Sequence, residues 1–147
     1  MHQKTETEVA TTVLITVADG RTGSAAATAT VNLYTDMAGV NNNTPKYTQT
    51  TDQNNQVNIT VDYLSQYYVV VIKGTAKNYY SGFKPIGIFQ SQTDINSSPI
   101  QSPAGTVGGV KYQDTNGDGI INNNDKVDAP VITLQQNTKN TQTVTVY

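Results

Sequence analysis

Twelve residues in the carboxyl-terminal third of the chain, from Asp114 to Asp125, carry oxygen-bearing side chains at fixed intervals. These side chains stand at positions 1, 3, 5, 9 and 12 of the segment, and the residue at position 7 can offer its backbone carbonyl. Ca²⁺ is a hard cation that takes six to eight oxygen ligands, and this spacing wraps such ligands around one point. The segment therefore predicts a calcium site with these ligands: Asp114, Asn116, Asp118, the carbonyl of Ile120, Asn122 and Asp125.

The remaining positions of the segment also match an EF-hand calcium loop. Gly119 at position 6 permits a sharp turn, and Ile121 at position 8 suits the short extended stretch that follows. Position 12 is Asp125, which has a shorter reach than glutamate, and only three carboxylates are present, so a modest affinity is expected. A dissociation constant between ~10 μM and ~1 mM would suit extracellular calcium. The alternative is a hairpin loop rich in asparagine and glycine that binds no ion.

The residues that flank the loop do not favour helices. Pro99 and Pro103 precede it together with three glycines, and Pro130 follows it closely. Because proline ends or kinks a helix, the pair of moving helices in an EF-hand sensor is not expected here. The loop is instead predicted to be a constitutive clamp, in which an ion that binds the folded loop better than the unfolded chain stabilises the fold.

Alternation of apolar and polar residues predicts short strands over most of the chain. Strands are expected within 13–18, 29–34, 46–51, 57–62, 67–73 and 83–90, and the segments 131–135 and 141–147 are expected to form a closing hairpin. Segment 67–73 is apolar on both faces, as in the middle of a sandwich. Segment 39–45 is expected to be a loop and 91–109 mostly a linker.

The length and composition fit one β-rich domain. With 147 residues the chain can bury one ordinary core. Uncharged polar residues are abundant, and no helix is expected. The prediction is an all-β fold, an Ig-like or transthyretin-like β-sandwich of about seven or eight strands with the calcium loop inserted. Residues 1–9 are expected to be a flexible tail and residues 10–147 a single domain.

Several function classes lack support in the sequence. The net charge of −2 argues against nucleic-acid binding, and no apolar run is long enough for a transmembrane segment. There is no cysteine, and the one histidine, His2, lies in the tail, so no enzyme activity is expected. An unrecognised hydrolase built on a pair of acidic residues is an alternative, because spatial proximity is invisible in sequence. Another is glycan binding, with Tyr79, Tyr80 and Phe83 stacking on sugar rings.

Two parts of the chain resemble known families. The run Gly108 to Gln113 leading into the calcium loop resembles a segment of bacterial TonB-dependent outer-membrane proteins of the starch-utilisation type. Residues 12–89 resemble carboxypeptidase-regulatory-like or transthyretin-like domains. The turn 50–57 is similar to their T-x-D-x-x-G-x-φ pattern with Asn55 at the glycine position. Leu64 with 68–71 is similar to their L-x-x-G-x-Y-x-V-x-V strand with Gln66 at the glycine position.

These resemblances imply a non-catalytic accessory module at an extracellular location, either the bacterial outer membrane and cell surface or a secreted protein. Its implied partners are a surface protein or a glycan. Dockerin modules also close their loops with aspartate, but they carry two loops with helices, whereas this chain has one loop followed by a strand. The polar run from His2 to Glu8 resembles the spacer after the lipidated cysteine of lipoproteins, which implies a lipid anchor in the native precursor. An ordinary frayed terminus is the alternative.

Overall fold

The alternating segments form strands in a computed structural model, which describes residues 9–22, 28–98 and 105–147. In chain order the elements are β1 Thr12–Asp19, β2 Thr30–Tyr34, α1 Met37–Asn42, β3 Tyr47–Thr50, β4 Gln56–Thr60, β5 Gln66–Lys73, β6 Ala76–Lys77, β7 Pro85–Ile88, α2 Gln92–Ser97, β8 Val110–Tyr112, a 3-10 turn Asn123–Asp125, β9 Val131–Thr133 and β10 Lys139–Val146. Of the predicted tail 1–9, residues 1–8 lie outside the described residues, and Val9 is exposed.

Two sheets form the sandwich and a third, smaller sheet adjoins them. The first sheet has the order β10-β1-β4, in which β1 runs parallel to β10 and antiparallel to β4. The second has the order β3-β2-β5-β6, and β9 also pairs with β5. The hairpin of β7 and β8 is the third sheet. The predicted all-β sandwich is confirmed, with ten strands in the described residues where seven or eight were expected.

The core lies between the first two sheets and follows from the period-2 pattern. Val13, Ile15 and Val17 of β1 are each 0% exposed, while the residues between them face outward and are partly exposed. A shift of one residue in register would turn this apolar set toward solvent, so the pattern fixes the register. The full core cluster comprises Val13, Ile15, Val17, Ala29, Val31, Leu33, Val57, Ile59, Val61, Tyr67, Val69, Val71, Ala76, Ile132, Leu134, Val144 and Val146.

The outer face of the second sheet buries a second apolar cluster. Val70 of β5 contributes to it, which explains why segment 67–73 is apolar on both faces. Tyr34, Tyr79 and Ala129 complete its buried part, and Met37 of α1 packs against them. This cluster joins the sandwich to the residues that follow the predicted calcium loop.

The expectation of loop over 39–45 is wrong at its start, because α1 occupies Met37–Asn42. Asp36 caps the helix by accepting a hydrogen bond from the Gly39 N–H (2.7 Å), and Asn43 ends it with a φ of 53°. α2 likewise lies in the segment expected to be linker. Both helices are too short to carry a helical periodicity that sequence reading could detect. Neither is long or apolar enough to span a membrane, and the described residues contain no other α-helix.

The predicted closing hairpin is also wrong. β9 pairs with β5 in the second sheet, whereas β10 pairs with β1 in the first. The chain therefore crosses from one sheet to the other between 134 and 138, and Leu134 is buried on the way. Asn140 holds this crossing, because its side chain accepts from the Gln135 N–H (2.9 Å) and donates to the Gln135 carbonyl (3.1 Å). Alternation shows that two strands exist but does not show which neighbours they take.

Candidate metal centre

The predicted calcium loop connects the third sheet to the second. It begins after β8 and ends in the 3-10 turn Asn123–Asp125, from which an extended segment leads to β9. Within the described residues no α-helix adjoins the loop on either side, as the residues that flank it predict. Two of those flanking residues, Pro99 and Pro103, lie outside the described residues.

Three of the predicted ligand residues meet at one point. Asp114, Asp118 and Asp125 each place one carboxylate oxygen within 4.8 Å of the others. Their environments differ: Asp125 is 0% exposed, Asp114 is half-buried and Asp118 is exposed. The described residues provide no salt bridge from a lysine or arginine to any of the three. The cluster is thus a concentrated negative charge with one buried wall and one side open to solvent.

Backbone N–H groups fold the first half of the loop around Asp114. Its Oδ1 accepts from Gly117 (3.1 Å) and its Oδ2 from Gly119 (2.7 Å). Both glycines have positive φ values, 72° and 79°, a conformation in which a side chain would be strained. The Ile120 N–H donates to Asp118 Oδ1 (3.0 Å), which fixes the second carboxylate. The glycines therefore allow the chain to turn tightly enough to bring positions 1 and 5 together.

Asp125 reaches the cluster because the chain makes a single 3-10 turn after Asn122. Its Oδ2 accepts from the Asn122 N–H (2.8 Å) and its Oδ1 from the Thr115 N–H (3.0 Å). The hydrogen bond from Asn122 is the main reason why the pKa of the Asp125 carboxyl is lowered, although burial acts in the opposite direction. A buried carboxylate that stays ionised is a suitable cation ligand, and the turn compensates for the short reach of aspartate.

The other predicted ligands have distinct contacts. Asn116 donates through its side chain to Asp118 Oδ2 (3.3 Å), so its amide group adjoins the carboxylate cluster. The side-chain oxygen of Asn122 accepts from the Asn124 N–H (2.9 Å) and caps the 3-10 turn. The side chain of Ile120 is exposed, as is expected for a residue whose contribution is a backbone carbonyl, whereas Ile121 is buried.

Sequence reading misses the capping role of Asn122. Its side chain accepts from the backbone within the turn while Asp125 accepts from the Asn122 N–H, which together form a capping box. The signal is present in the sequence as an asparagine three residues before an aspartate. The metal-ligand spacing accounts for the same two residues, so the second role is not evident from sequence.

The segment after the loop is tied to the sandwich. Val127 donates its N–H to the Gly82 carbonyl (2.8 Å), and its own carbonyl accepts from the Tyr79 hydroxyl (2.7 Å). Further on, the Pro130 carbonyl accepts from the Val69 N–H of β5 (2.9 Å). The position of Asp125 is therefore linked through a few residues to the central strand of the second sheet.

The aromatic residues suggested for sugar stacking do not form an open platform. Tyr79 is 7% exposed and uses its hydroxyl within the protein. Tyr80 and Phe83 are partly buried and pack against Tyr112, with ring centroids 5.7 and 5.2 Å from it. These contacts give the three residues a structural role, and glycan binding through them stays a prediction.

The chain is similar in part to one curated protein. Fifty-seven of its residues are 42% identical to part of TonB-dependent receptor P26 of Formosa agariphila. The similar segment is 39% of this chain and 6% of the receptor, so the chain corresponds to a small part of that protein. No family model matches the chain, and no solved structure matches it. A similarity to a TonB-dependent protein is thus found over part of the chain, while the assignment of Gly108 to Gln113 to such a protein and the carboxypeptidase-regulatory-like family stay predictions.

Proposed function

We propose that the loop from Asp114 to Asp125 binds one Ca²⁺ and that the ion stabilises a non-catalytic β-sandwich module of a surface protein. The observation that carries the proposal is the convergence of three carboxylates within 4.8 Å in a loop that has calcium-loop spacing. Three like charges this close repel one another, and a divalent cation between them would convert the repulsion into attraction. All side-chain donors offered are oxygens, which suits a hard cation.

The predicted ligands would contribute to the site in different ways. Asp114, Asp118 and Asp125 supply the charge. The Asn116 amide donates to Asp118 Oδ2 and its oxygen accepts from the Asp118 N–H (3.3 Å), so Asn116 would bind the ion only after its amide group turns. Ile120 contributes its carbonyl. Because its amide oxygen already caps the 3-10 turn, Asn122 acts through a water, as position 9 often does.

The ion would fasten two parts of the fold. Asp114 follows the hairpin of β7 and β8, whereas Asp125 precedes the segment that bonds to β5 through Pro130. A cation held by both carboxylates therefore joins the third sheet to the second. Because the described flanks are a strand and an extended segment, we propose a permanent clamp and not a sensor that opens on calcium binding.

Calorimetric titration of the chelator-treated chain tests this proposal. One calcium per chain is expected, with a dissociation constant between ~10 μM and ~1 mM and weaker binding of Mg²⁺, which demands a smaller octahedral site. Asp118→Asn should weaken calcium binding about tenfold or more. Asp128→Asn is the matched control, because Asp128 is an exposed aspartate just outside the loop, and it should leave the affinity unchanged. Absence of heat at millimolar calcium would contradict the proposal.

The surface location is proposed from the partial similarity to a TonB-dependent receptor. The non-catalytic role is proposed from the sequence, which has no cysteine and one histidine. Protease treatment of intact cells that make the native protein tests the location. Loss of an epitope in this module while a periplasmic protein stays intact would support exposure at the surface, and protection of the epitope until the outer membrane is opened would count against it.

A further inference from the structure

The outer edge of β10 presents a row of backbone groups to solvent. At its end Val146 accepts a hydrogen bond from the Gly20 N–H on the β1 side (2.7 Å), while Tyr147 exchanges two with Lys77 on the opposite side (3.1 and 3.4 Å). Residues of a strand direct their N–H and C=O groups alternately to the two sides. The odd-numbered positions of β10 therefore point away from β1, at Thr141, Thr143 and Thr145.

No strand of the described residues pairs with this edge before Tyr147. One contact covers part of it: the Gln142 side chain donates to the Thr143 carbonyl (3.2 Å). Natural sheets usually blunt an open edge with charged side chains or proline. In β10 the one charged residue is Lys139 at its start, and from Asn140 to Tyr147 there is no charged residue or proline. Threonine stands at 141, 143 and 145, and valine at 144 and 146. The edge keeps the features that allow another strand to add to it.

A cleft of about 290 Å³ runs beside the edge, between β10 and the neighbouring edge of the second sheet. Its apolar walls include Val69, Pro85, Val131 and Val144, and Val131 is 44% exposed. When a peptide adds to a sheet edge, its main chain supplies hydrogen bonds and pockets for alternate side chains supply selectivity. The cleft provides such a pocket for side chains of an added strand.

The charge around the edge is positive. Lys139 begins the strand and Lys84 lines the cleft. Lys77 bonds through its backbone to Tyr147, and its ammonium lies 5.7 Å from the centroid of the Tyr80 ring. No aspartate or glutamate of the described residues lines the cleft, and neither Lys84 nor Lys139 forms a salt bridge with a described residue. β10 of a second copy contains no aspartate or glutamate, so an edge-to-edge pair of copies would bring no acidic side chain of that strand to these lysines. Charge complementarity therefore favours a different partner that carries acidic side chains.

We propose that the outer edge of β10 binds an extended, acidic segment of a partner protein, which adds to the first sheet as a further strand. Main-chain hydrogen bonds would form at Thr141, Thr143 and Thr145. Apolar side chains of the segment would enter the cleft, and its carboxylates would lie near Lys84 and Lys139. This surface lies outside the calcium loop, so it is tested with calcium present throughout, and failure here leaves the calcium result untouched.

The probe is a fluorescein-labelled nine-residue peptide of alternating threonine and valine in which two threonines are replaced by glutamate. A second peptide carries lysine at those two positions. Fluorescence anisotropy with the full chain should show saturable binding of the acidic peptide, at least tenfold tighter than of the basic one. Amide hydrogen exchange should show new protection at Thr141, Thr143 and Thr145.

Thr143→Pro removes an outward N–H without removing a bond to β1, and it should weaken binding of the acidic peptide at least tenfold. Thr143→Val keeps that N–H and should bind normally. Lys84→Glu should reduce or reverse the preference between the two peptides. An acidic peptide with alternate backbone amides methylated should fail to bind, which tests the main-chain bonds without any protein variant.

Any of four outcomes would overturn the proposal. The acidic peptide fails to bind saturably, or it binds folded Thr143→Pro as well as the wild type, or the two peptides bind equally. A dimer that Thr143→Pro abolishes, in a chain that takes up no peptide, would assign the edge to a second copy and would equally refute an acidic partner.

Discussion

Replacing Asp118 with asparagine should change thermal stability in opposite directions with and without calcium. Asp118 is the exposed member of the carboxylate cluster, so the substitution removes a charge and disturbs little packing. Its Oδ1 accepts from the Ile120 N–H, and an asparagine oxygen can accept the same bond. The variant therefore isolates the electrostatic part of the site.

The magnitude follows from the separation of the carboxylates. Two unit charges 4.8 Å apart repel by about 0.9 kcal/mol at the dielectric constant of water. In chelator the substitution should therefore raise the free energy of unfolding by on the order of 1 kcal/mol. In calcium at ten to a hundred times the dissociation constant, the wild type gains about 1.4 to 2.7 kcal/mol, most of which the variant should lack.

Differential scanning calorimetry in chelator and in 10 mM calcium would measure both effects. This concentration is ten times the weakest dissociation constant in the expected range of ~10 μM to ~1 mM. At 10 mM, calcium stands at about ten to a thousand times these dissociation constants, so the wild type gains about 1.4 to 4.1 kcal/mol. For a chain of this size the wild-type midpoint should then rise by roughly 3 to 16 °C on adding calcium. The variant should start higher in chelator and rise less, while Asp128→Asn should behave like the wild type. A wild-type midpoint that ignores calcium, or a variant that is less stable than the wild type in chelator, would refute the reasoning.

Two further predictions concern contacts outside the carboxylate cluster. The Lys111 ammonium lies 2.8 Å from Asp94 Oδ1 and lowers the pKa of that carboxyl. The pair therefore stabilises the fold above the ordinary aspartate pKa, and this stabilisation is lost as the pH falls through the lowered pKa. Asp94→Asn should therefore reduce stability slightly in urea titrations at pH 7 and by less at pH 2, and an equal loss at both values would contradict this. Gly82→Ala should destabilise by about 1 to 3 kcal/mol in urea titrations, because φ is 107° there and an added Cβ would lie 2.8 Å from Lys126 Cγ. Gly74→Ala, also at positive φ but with nothing within 4 Å, should cost less, and the reverse order would be evidence against this packing.

Strand positions were predictable from sequence because one face of each strand is buried. Val57 and Ile59 alternate with polar residues, and both face the core in β4. Sheet partners were not predictable in the same way. β9 and β10 are separated by a short polar segment, which suits a hairpin locally. This local preference for a hairpin is overridden because Leu134 enters the core between the two sheets, and the chain crosses there from the second sheet to the first.

The metal-ligand spacing was predictable because it is local. Gly117 and Gly119 permit the turns that bring Asp114 and Asp118 together, and each of these residues lies within the loop. The attachment of the loop to the sandwich was not predictable. It depends on Val127 meeting Tyr79, 48 positions away, and no pattern in the chain links the two. The same limit applies to the open edge of β10, which becomes visible only when the pairing is known.

A crystal structure grown in calcium, with anomalous scattering recorded, tests the central claim most directly. One calcium peak is predicted between Asp114, Asp118 and Asp125, with their oxygens and the Ile120 carbonyl about 2.3 to 2.6 Å from the ion. The hydrogen bonds from Thr115 and Asn122 to Asp125 should persist around it. A loop without an ion at saturating calcium, or calcium bound elsewhere with these carboxylates turned apart, would contradict the account.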